Sequence, residues 1–347
     1  MKIHQSFLFA AFVSLSLTAL AGCEPKTPGD DPGKDDPQQT GYVNPISNLR
    51  LPDCSVIRDN GTFYLVASDE AYNGMPIAKS TDLVNWSKVG EVFTAATRPK
   101  WNGQGGGLWA PDIAKIGNKY VVYYAYVPDI NNEWQWGIGV ATADRPTGPW
   151  SDKGKVFIGG EIGVQCSIDP CFYSDNGRNY LVWGSYFGIW ATELTEDGLA
   201  VKSLDSKTRL AGADGYGLEG AMIYKKDGYY YLFVSEGGTG YKENYKLGAA
   251  RSKNFLGPYV NKAGQDVTAH GVDFFLKAGN GFVSPGHCSQ IITDDHGDDW
   301  VLYHAFVNGE EDKGRRLMLS RLTWSGGWPS IDGGIPAKES KVAPYWK

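Results

Sequence analysis

Asp53, Asp169 and Glu219 stand eight, eight and nine residues ahead of Gly61, Gly177 and Gly228, and each of those glycines marks the turn of a hydrophobic hairpin. His287 stands ten residues ahead of Gly297, in the same relation to another hairpin. Asp112 is closer to its turn, five residues ahead of Gly117. A carboxylate that points into a sheet core is costly unless it is paired or put to use. Several gathered on one axis shift one another's pKa values, so that one can serve as acid while another serves as base. Asp53, Asp169 and Glu219 therefore read as a catalytic set. Asp112, in the run Trp109-Ala110-Pro111-Asp112, reads instead as a residue that caps a turn or binds backbone N–H groups.

The elements that must position these groups repeat along the chain. Gly61, Gly117, Gly177, Gly228 and Gly297 are each followed three residues later by an aromatic: Tyr64, Tyr120, Tyr180, Tyr231 and Trp300. The intervals between these glycines are 56, 60, 51 and 69 residues. Each unit reads as strand, Asn-Gly or Asp-Gly type turn, strand, a strong local hairpin signal. A further strand with a polar turn follows each hairpin, at 77–86, 139–150, 189–198, 247–259 and 317–328. Such a period, with three or four strands per unit, specifies a propeller or an array. The expectation is an all-β fold, a five-bladed β-propeller with a central channel lined by the innermost strands. The composition agrees: 45 Gly, 12 Trp, 20 Tyr and 14 Phe in 347 residues suit many short strands joined by tight turns. Beyond the leader no amphipathic helix is evident.

The same residues carry a resemblance. Residues 52–68 (PDCSVIRDNGTFYLVAS), 109–113 (WAPDI), 167–173 (SIDPCFY), 218–235 (LEGAMIYKKDGYYYLFVS) and 284–292 (SPGHCSQII) resemble, in that order, segments of glycoside hydrolase family 43. These are inverting five-bladed propeller enzymes that act on arabinose- and xylose-containing polysaccharides. The resemblance spans about residues 45–332. It implies Asp53 as general base, Glu219 as general acid, and Asp169 as the group that tunes the acid's pKa and orients substrate. Inversion needs one carboxylate to activate water and one protonated carboxyl to release the leaving oxygen. Asp53 is followed by Cys54 where the family usually has proline, whereas Asp169-Pro170 keeps that dipeptide. The motif set is more arabinanase-like than xylosidase-like. It implies endo-action on α-1,5-arabinan of plant cell walls. An exo-acting α-L-arabinofuranosidase or β-xylosidase, acting on arabinan or arabinoxylan, is the alternative among enzymes. A glycan-binding surface lipoprotein without catalysis is the alternative of another class. Trp101 and Trp109 are candidates for stacking on sugar rings at the channel mouth.

His287, in Pro285-Gly286-His287-Cys288, resembles the arabinanase histidine that reaches an axial metal, often calcium. Calcium prefers oxygen ligands, so one histidine completed by water is an unusual site, and hydrogen bonding to substrate or to a core carbonyl is the rival role. His304 reads as structural. Cys54, Cys166, Cys171 and Cys288 lack zinc-type spacing. They read either as disulfide partners or as buried thiols packed like small apolar side chains. The acidic run Asp294 to Asp299 reads as a solvated hairpin turn, since it lacks EF-hand spacing. No P-loop, dinucleotide fingerprint, G-x-S-x-G or H-E-x-x-H is present, so no organic cofactor is expected.

Residues 1–22 read as a leader: a short basic start, an apolar stretch from Phe7 to Leu20 and a small-residue cleavage region. Leu20-Ala21-Gly22-Cys23 resembles a bacterial lipobox, which makes Cys23 the expected lipidation site. Residues 23–40, rich in Pro and Asp, read as an extended tether, and 41–347 as the catalytic domain. The expected location is extracytoplasmic, on a bacterial membrane through a lipid anchor. The net charge of −6 offers no basic stripe for a nucleic-acid backbone, so no nucleic acid is expected as partner.

Overall fold

A computed structural model describes residues 41–347 apart from 69–73, 102–105 and 132. The leader, the tether and Cys23 lie outside the described residues. Five antiparallel sheets follow one another along the chain, as the repeat predicts. Blade one is Ser55–Asp59, Thr62–Val66, Pro76–Ser80 and Ser87–Glu91. Blade two is Gly107–Ile116, Lys119–Val127, Gly137–Ala143 and Ser151–Ile158. Blade three is Cys171–Asp175, Arg178–Trp183, Phe187–Glu193 and Thr208–Asp214. Blade four is Leu218–Lys226, Tyr229–Glu236, Lys246–Ser252 and Asp273–Leu276. In blade five both Phe282–Gly286 and Ile292–Thr293 pair with Asp299–Val307, and Arg316–Ser325 and Trp328–Ser330 follow outward. The single α-helix among the described residues is one turn, Gly159–Ile162.

The turn chemistry explains the hairpins. Asn60-Gly61, Asn176-Gly177 and Asp227-Gly228 all take positive φ at both positions. That is the type I′ geometry, whose twist matches that of the flanking strands. The packing explains the apolar runs. Apolar layers lie between neighbouring blades, as where Phe63 and Leu65 of blade one meet Leu302, Leu317 and Leu319 of blade five. A middle strand such as Lys119–Val127 is covered on both faces, so every residue after the first is buried and no alternation appears. The outer strand Ser87–Glu91 has no buried residue.

The ring is closed by a feature the repeat does not announce. Tyr42–Val43 pairs with Glu339–Ser340 near the other end of the chain. Asn44 then grips the third strand of blade five: its side chain accepts from the Leu319 N–H (3.0 Å) and donates to the Leu319 carbonyl (2.9 Å). The buried Tyr42 hydroxyl donates to the same carbonyl.

Each inner strand also breaks at one equivalent point. Asp53, Ala110, Asp169, Gly220 and His287 all adopt left-handed φ, between 42° and 60°. Four of the five are not glycine, so the conformation is strained there, and such strain gathers at functional sites. Each kink lies two residues before Ser55, Asp112, Cys171, Met222 or Ser289, close to where regular pairing with the second strand resumes. At or beside these kinks stand Asp53, Ala110, Asp169, Glu219 and His287, one from each blade, all of which line a common cavity.

Candidate active site

A cavity of about 330 Å³ opens at the axis, lined by Asp53, Asp169, Glu219, Trp109, Trp136 and His287 among others. The three carboxylates predicted from hairpin spacing thus meet around one space, brought from blades one, three and four. Each is almost wholly buried.

Their surroundings differ. Asp53 Oδ1 accepts from the Arg315 guanidinium at 2.8 Å, with His304 Nδ1 at 3.3 Å and His287 Nδ1 at 3.4 Å. Burial pushes its pKa up, but Arg315 and the two imidazoles outweigh burial and hold the carboxyl well below the usual range. The Asp53 N–H donates to His304 Nδ1 at 3.2 Å. His304 is wholly buried, its pKa is pushed down to about 4 by burial, and it stacks on Tyr245 with ring centroids 5.5 Å apart.

Asp169 and Glu219 behave oppositely. Burial, then the charges of Glu219 and Asp53, push Asp169 well above the carboxylate range. Burial also raises Glu219, against the pull of the Ser185 hydroxyl, which donates to Oε2 at 2.7 Å. Asp169 Oδ2 accepts from the Gly220 N–H at 3.0 Å, which ties it to the residue after Glu219. Gly220 is required twice. Its φ is +60°, and a Cβ there would sit 3.0 Å from His287 Nδ1. The arrangement is one ionised carboxylate and one proton-holding pair facing the same space. It can take a proton from a water on one side and give a proton to a leaving oxygen on the other.

Of the two tryptophans singled out in the sequence, Trp109 lines the cavity and Trp101 does not. Trp101 donates from Nε1 to the Tyr124 hydroxyl (3.1 Å) and packs edge-on against Tyr126 at 5.1 Å, so it serves the packing of blade two. Trp136 takes a place on the wall that the sequence did not assign. Arg315 and Ser185 were also missed. Both lie on connections whose composition carries no periodic signal, and only the fold brings them to Asp53 and Glu219.

His287 lies on the axis beside Asp53, and its N–H donates to Ser235 Oγ at 2.8 Å. Among the described residues no three His, Cys, Asp or Glu side chains gather as metal ligands. The nearest carboxylate, Asp53, is bonded to Arg315, whose charge repels a cation. The side chains alone do not fit an oxygen-seeking calcium, and no step below runs through a metal.

Asp112, as expected, is spent on hydrogen bonds. It accepts from Ser55 Oγ (2.8 Å), the Phe172 N–H (2.7 Å) and Gln290 Nε2, which joins four blades. The four described cysteines are free thiols. Cys166, on the cavity wall, is pushed up to about 11 by burial and then by the charges of Glu219 and Asp169, which leaves no reactive thiolate. Asp294 accepts from the backbones of His296 and Asp298 and from Trp300 Nε1, which makes the acidic run a hairpin turn.

The profile of Glycosyl hydrolases family 43 matches residues 42–329. The chain belongs to that family. As a family-43 glycosidase it is 29% identical to the putative beta-xylosidase of Escherichia coli K12, over 87% of this chain and 59% of that longer protein. It is also 29% identical to the probable arabinan endo-1,5-alpha-L-arabinosidase A of Aspergillus flavus, over 84% of this chain and 94% of that one. The structure of Cellvibrio cellulosa alpha-L-arabinanase complexed with arabinohexaose superposes with a TM-score of 0.72 at 28% identity, covering 83% of this chain and 96% of that one. These likenesses confirm the family and the five-bladed propeller expected from the sequence.

Proposed function

We propose that this hydrolase cleaves α-L-arabinosyl linkages of plant arabinan with inversion, and that it cuts within the chain. The observation that carries the reading is three buried carboxylates around one cavity, Asp53 bonded to the Arg315 guanidinium and Asp169 and Glu219 held by neutral donors. Asp53, ionised by Arg315, accepts a proton from water as the water oxygen attacks the anomeric carbon. Glu219 gives its proton to the glycosidic oxygen as that bond breaks on the opposite face, and the product leaves with inverted configuration. Glu219 and Asp169 oppose each other's ionisation, which keeps a proton on the pair, and Asp169 steadies the acid strand through Gly220. The substrate is supported by the arabinan named for the Aspergillus relative and the arabinohexaose held by the Cellvibrio protein. An exo-acting β-xylosidase is the second reading, favoured by the name of the Escherichia relative, of which this chain spans 59%. We further infer an extracytoplasmic, lipid-anchored location from the leader and Cys23.

The test is hydrolysis of linear α-1,5-arabinan, with products resolved by size over time and their anomeric form read by NMR. Early oligosaccharides with inverted anomeric centres are expected. Arabinose alone moves the reading to exo-action. Turnover of xylo-oligosaccharides in place of arabinan moves it to the xylosidase.

A further inference from the structure

Blade two carries a small hairpin on the connection between its second and third strands. Asp129–Ile130 pairs with Glu133–Trp134, and the Gln135 N–H donates to the Pro128 carbonyl at 2.9 Å to extend the ladder. This hairpin holds Trp134 with 54% of its surface in solvent, the most exposed aromatic side chain among the described residues. A single exposed tryptophan is ordinary. This one belongs to a cluster. Its ring centroid lies 6.3 Å from Trp109 and 6.4 Å from Trp136, and Trp109 and Trp136 are 6.5 Å apart. Trp109 and Trp136 also line the catalytic cavity. The aromatic surface is therefore continuous from the reacting centre to solvent. All three pairs are tilted, at 39° to 51°, rather than stacked face to face.

We propose that Trp134 is a specificity-determining residue, a platform on which a sugar unit beyond the cavity rests as the polysaccharide leaves over blade two. A tryptophan face is electron-rich and apolar, with a polar N–H at one edge. The C–H face of a sugar ring is its complement, while the hydroxyls at the ring's rim stay in water. The cavity is small enough to hold the units flanking the broken bond, so units further along the chain need a surface outside it. Continuity with the cavity selects the occupant: a neighbouring unit of the same substrate chain. This inference rests on the proposed polysaccharide hydrolysis.

The experiment compares the unaltered protein with Trp134→Ala and Trp134→Phe on linear α-1,5-arabinan and on an aryl α-L-arabinofuranoside, which fills the cavity alone. The quantity read is the ratio of kcat/KM on polymer to kcat/KM on the aryl glycoside. That ratio is expected to fall about fivefold or more in Trp134→Ala, the scale of one aromatic contact, and to recover largely in Trp134→Phe. An unchanged ratio overturns the inference, as does a fall on both substrates together, which marks a structural role. If the unaltered protein cleaves the aryl glycoside but no arabinan, the proposed substrate fails, and the platform fails with it.

Discussion

Asp53 and Asp112 are both buried aspartates near the start of inner strands, yet one faces the reaction and the other holds the ring. Asp53 sits at the left-handed kink, bonded to a guanidinium, with an open cavity before it. Asp112 lies two residues beyond the corresponding kink at Ala110, and its bonds come from a hydroxyl, an amide and a backbone N–H. Neutral donors satisfy a buried carboxylate without ionising it fully, and burial raises Asp112 to about 6. A cationic partner reverses the direction for Asp53. Burial alone does not separate a catalytic carboxylate from a structural one. Access to the cavity does: Asp53, Asp169 and Glu219 line it and Asp112 does not, while the charge of the partner decides which of the cavity carboxylates ionises.

The comparison breaks most sharply if the two groups are exchanged in effect. Asp53→Asn and Glu219→Gln each are expected to lower kcat by about 10²–10⁴-fold, the range for a lost base or acid. Their melting temperatures should stay within a few degrees of the parent. A fall in melting temperature that accounts for the lost activity would make both residues structural. Asp169→Asn leaves Glu219 without an ionisable partner in the pair. Glu219 then ionises at lower pH, so the alkaline limb of kcat is expected to move down while the acid limb, set by Asp53, stays.

Asp112→Ala should do the reverse. It leaves the donors on Phe172 and Gln290 without this acceptor, at about 1–3 kcal/mol each, while the Ser55 hydroxyl keeps Gln290 Oε1 at 3.0 Å. Stability should therefore drop by several kcal/mol while the specific activity of the folded fraction survives. The pH dependence has a fixed sign. The folded pKa of about 6 lies above the ordinary value of 3.8, so the folded state binds the extra proton. That stabilisation is complete below pH 3.8 and is lost as pH rises through about 6, a change of about 3 kcal/mol. Asp112→Asn stays neutral and should flatten this part of the unfolding profile between pH 4 and 6. Asp169 and Glu219 titrate with the same sign, so their amide variants are the controls. An unaltered slope in Asp112→Asn would remove Asp112 as its source.

Both roles were partly legible in the sequence. Hairpin turns with fixed glycines repeat at a readable period, so counting back from Gly61, Gly177 and Gly228 found Asp53, Asp169 and Glu219. The same count kept Asp112 apart. Ring closure by Asn44 was not legible, because one asparagine gripping one distant strand leaves no periodic mark. Arg315 was hidden for a related reason: it follows a single 3₁₀ turn, Glu311–Lys313, and only the closed ring brings it to Asp53. Trp101 and Trp109 looked alike in sequence, but only Trp109 lies on the strand that reaches the cavity. Trp101 precedes blade two's inner strand, on the far side of residues that fall outside those described.

The smallest expected effect concerns His287, which shares the axis with both carboxylates of this comparison. The resemblance proposes a metal there, while the described side chains offer it one imidazole and no free carboxylate. A cation at that point would be held mainly by water oxygens and would be lost easily to a chelator. Exposure to EDTA is therefore expected to leave the melting temperature within about a degree of its starting value. Because Arg315 bonds Asp53 directly, kcat on an aryl glycoside should change less than threefold. A loss of activity as deep as that of Glu219→Gln would place the metal in the catalytic step and demote Arg315 from its role in setting the base. No change in either quantity would leave His287 with hydrogen bonding alone, donating to Ser235 and lying against Asp53, as its geometry already provides.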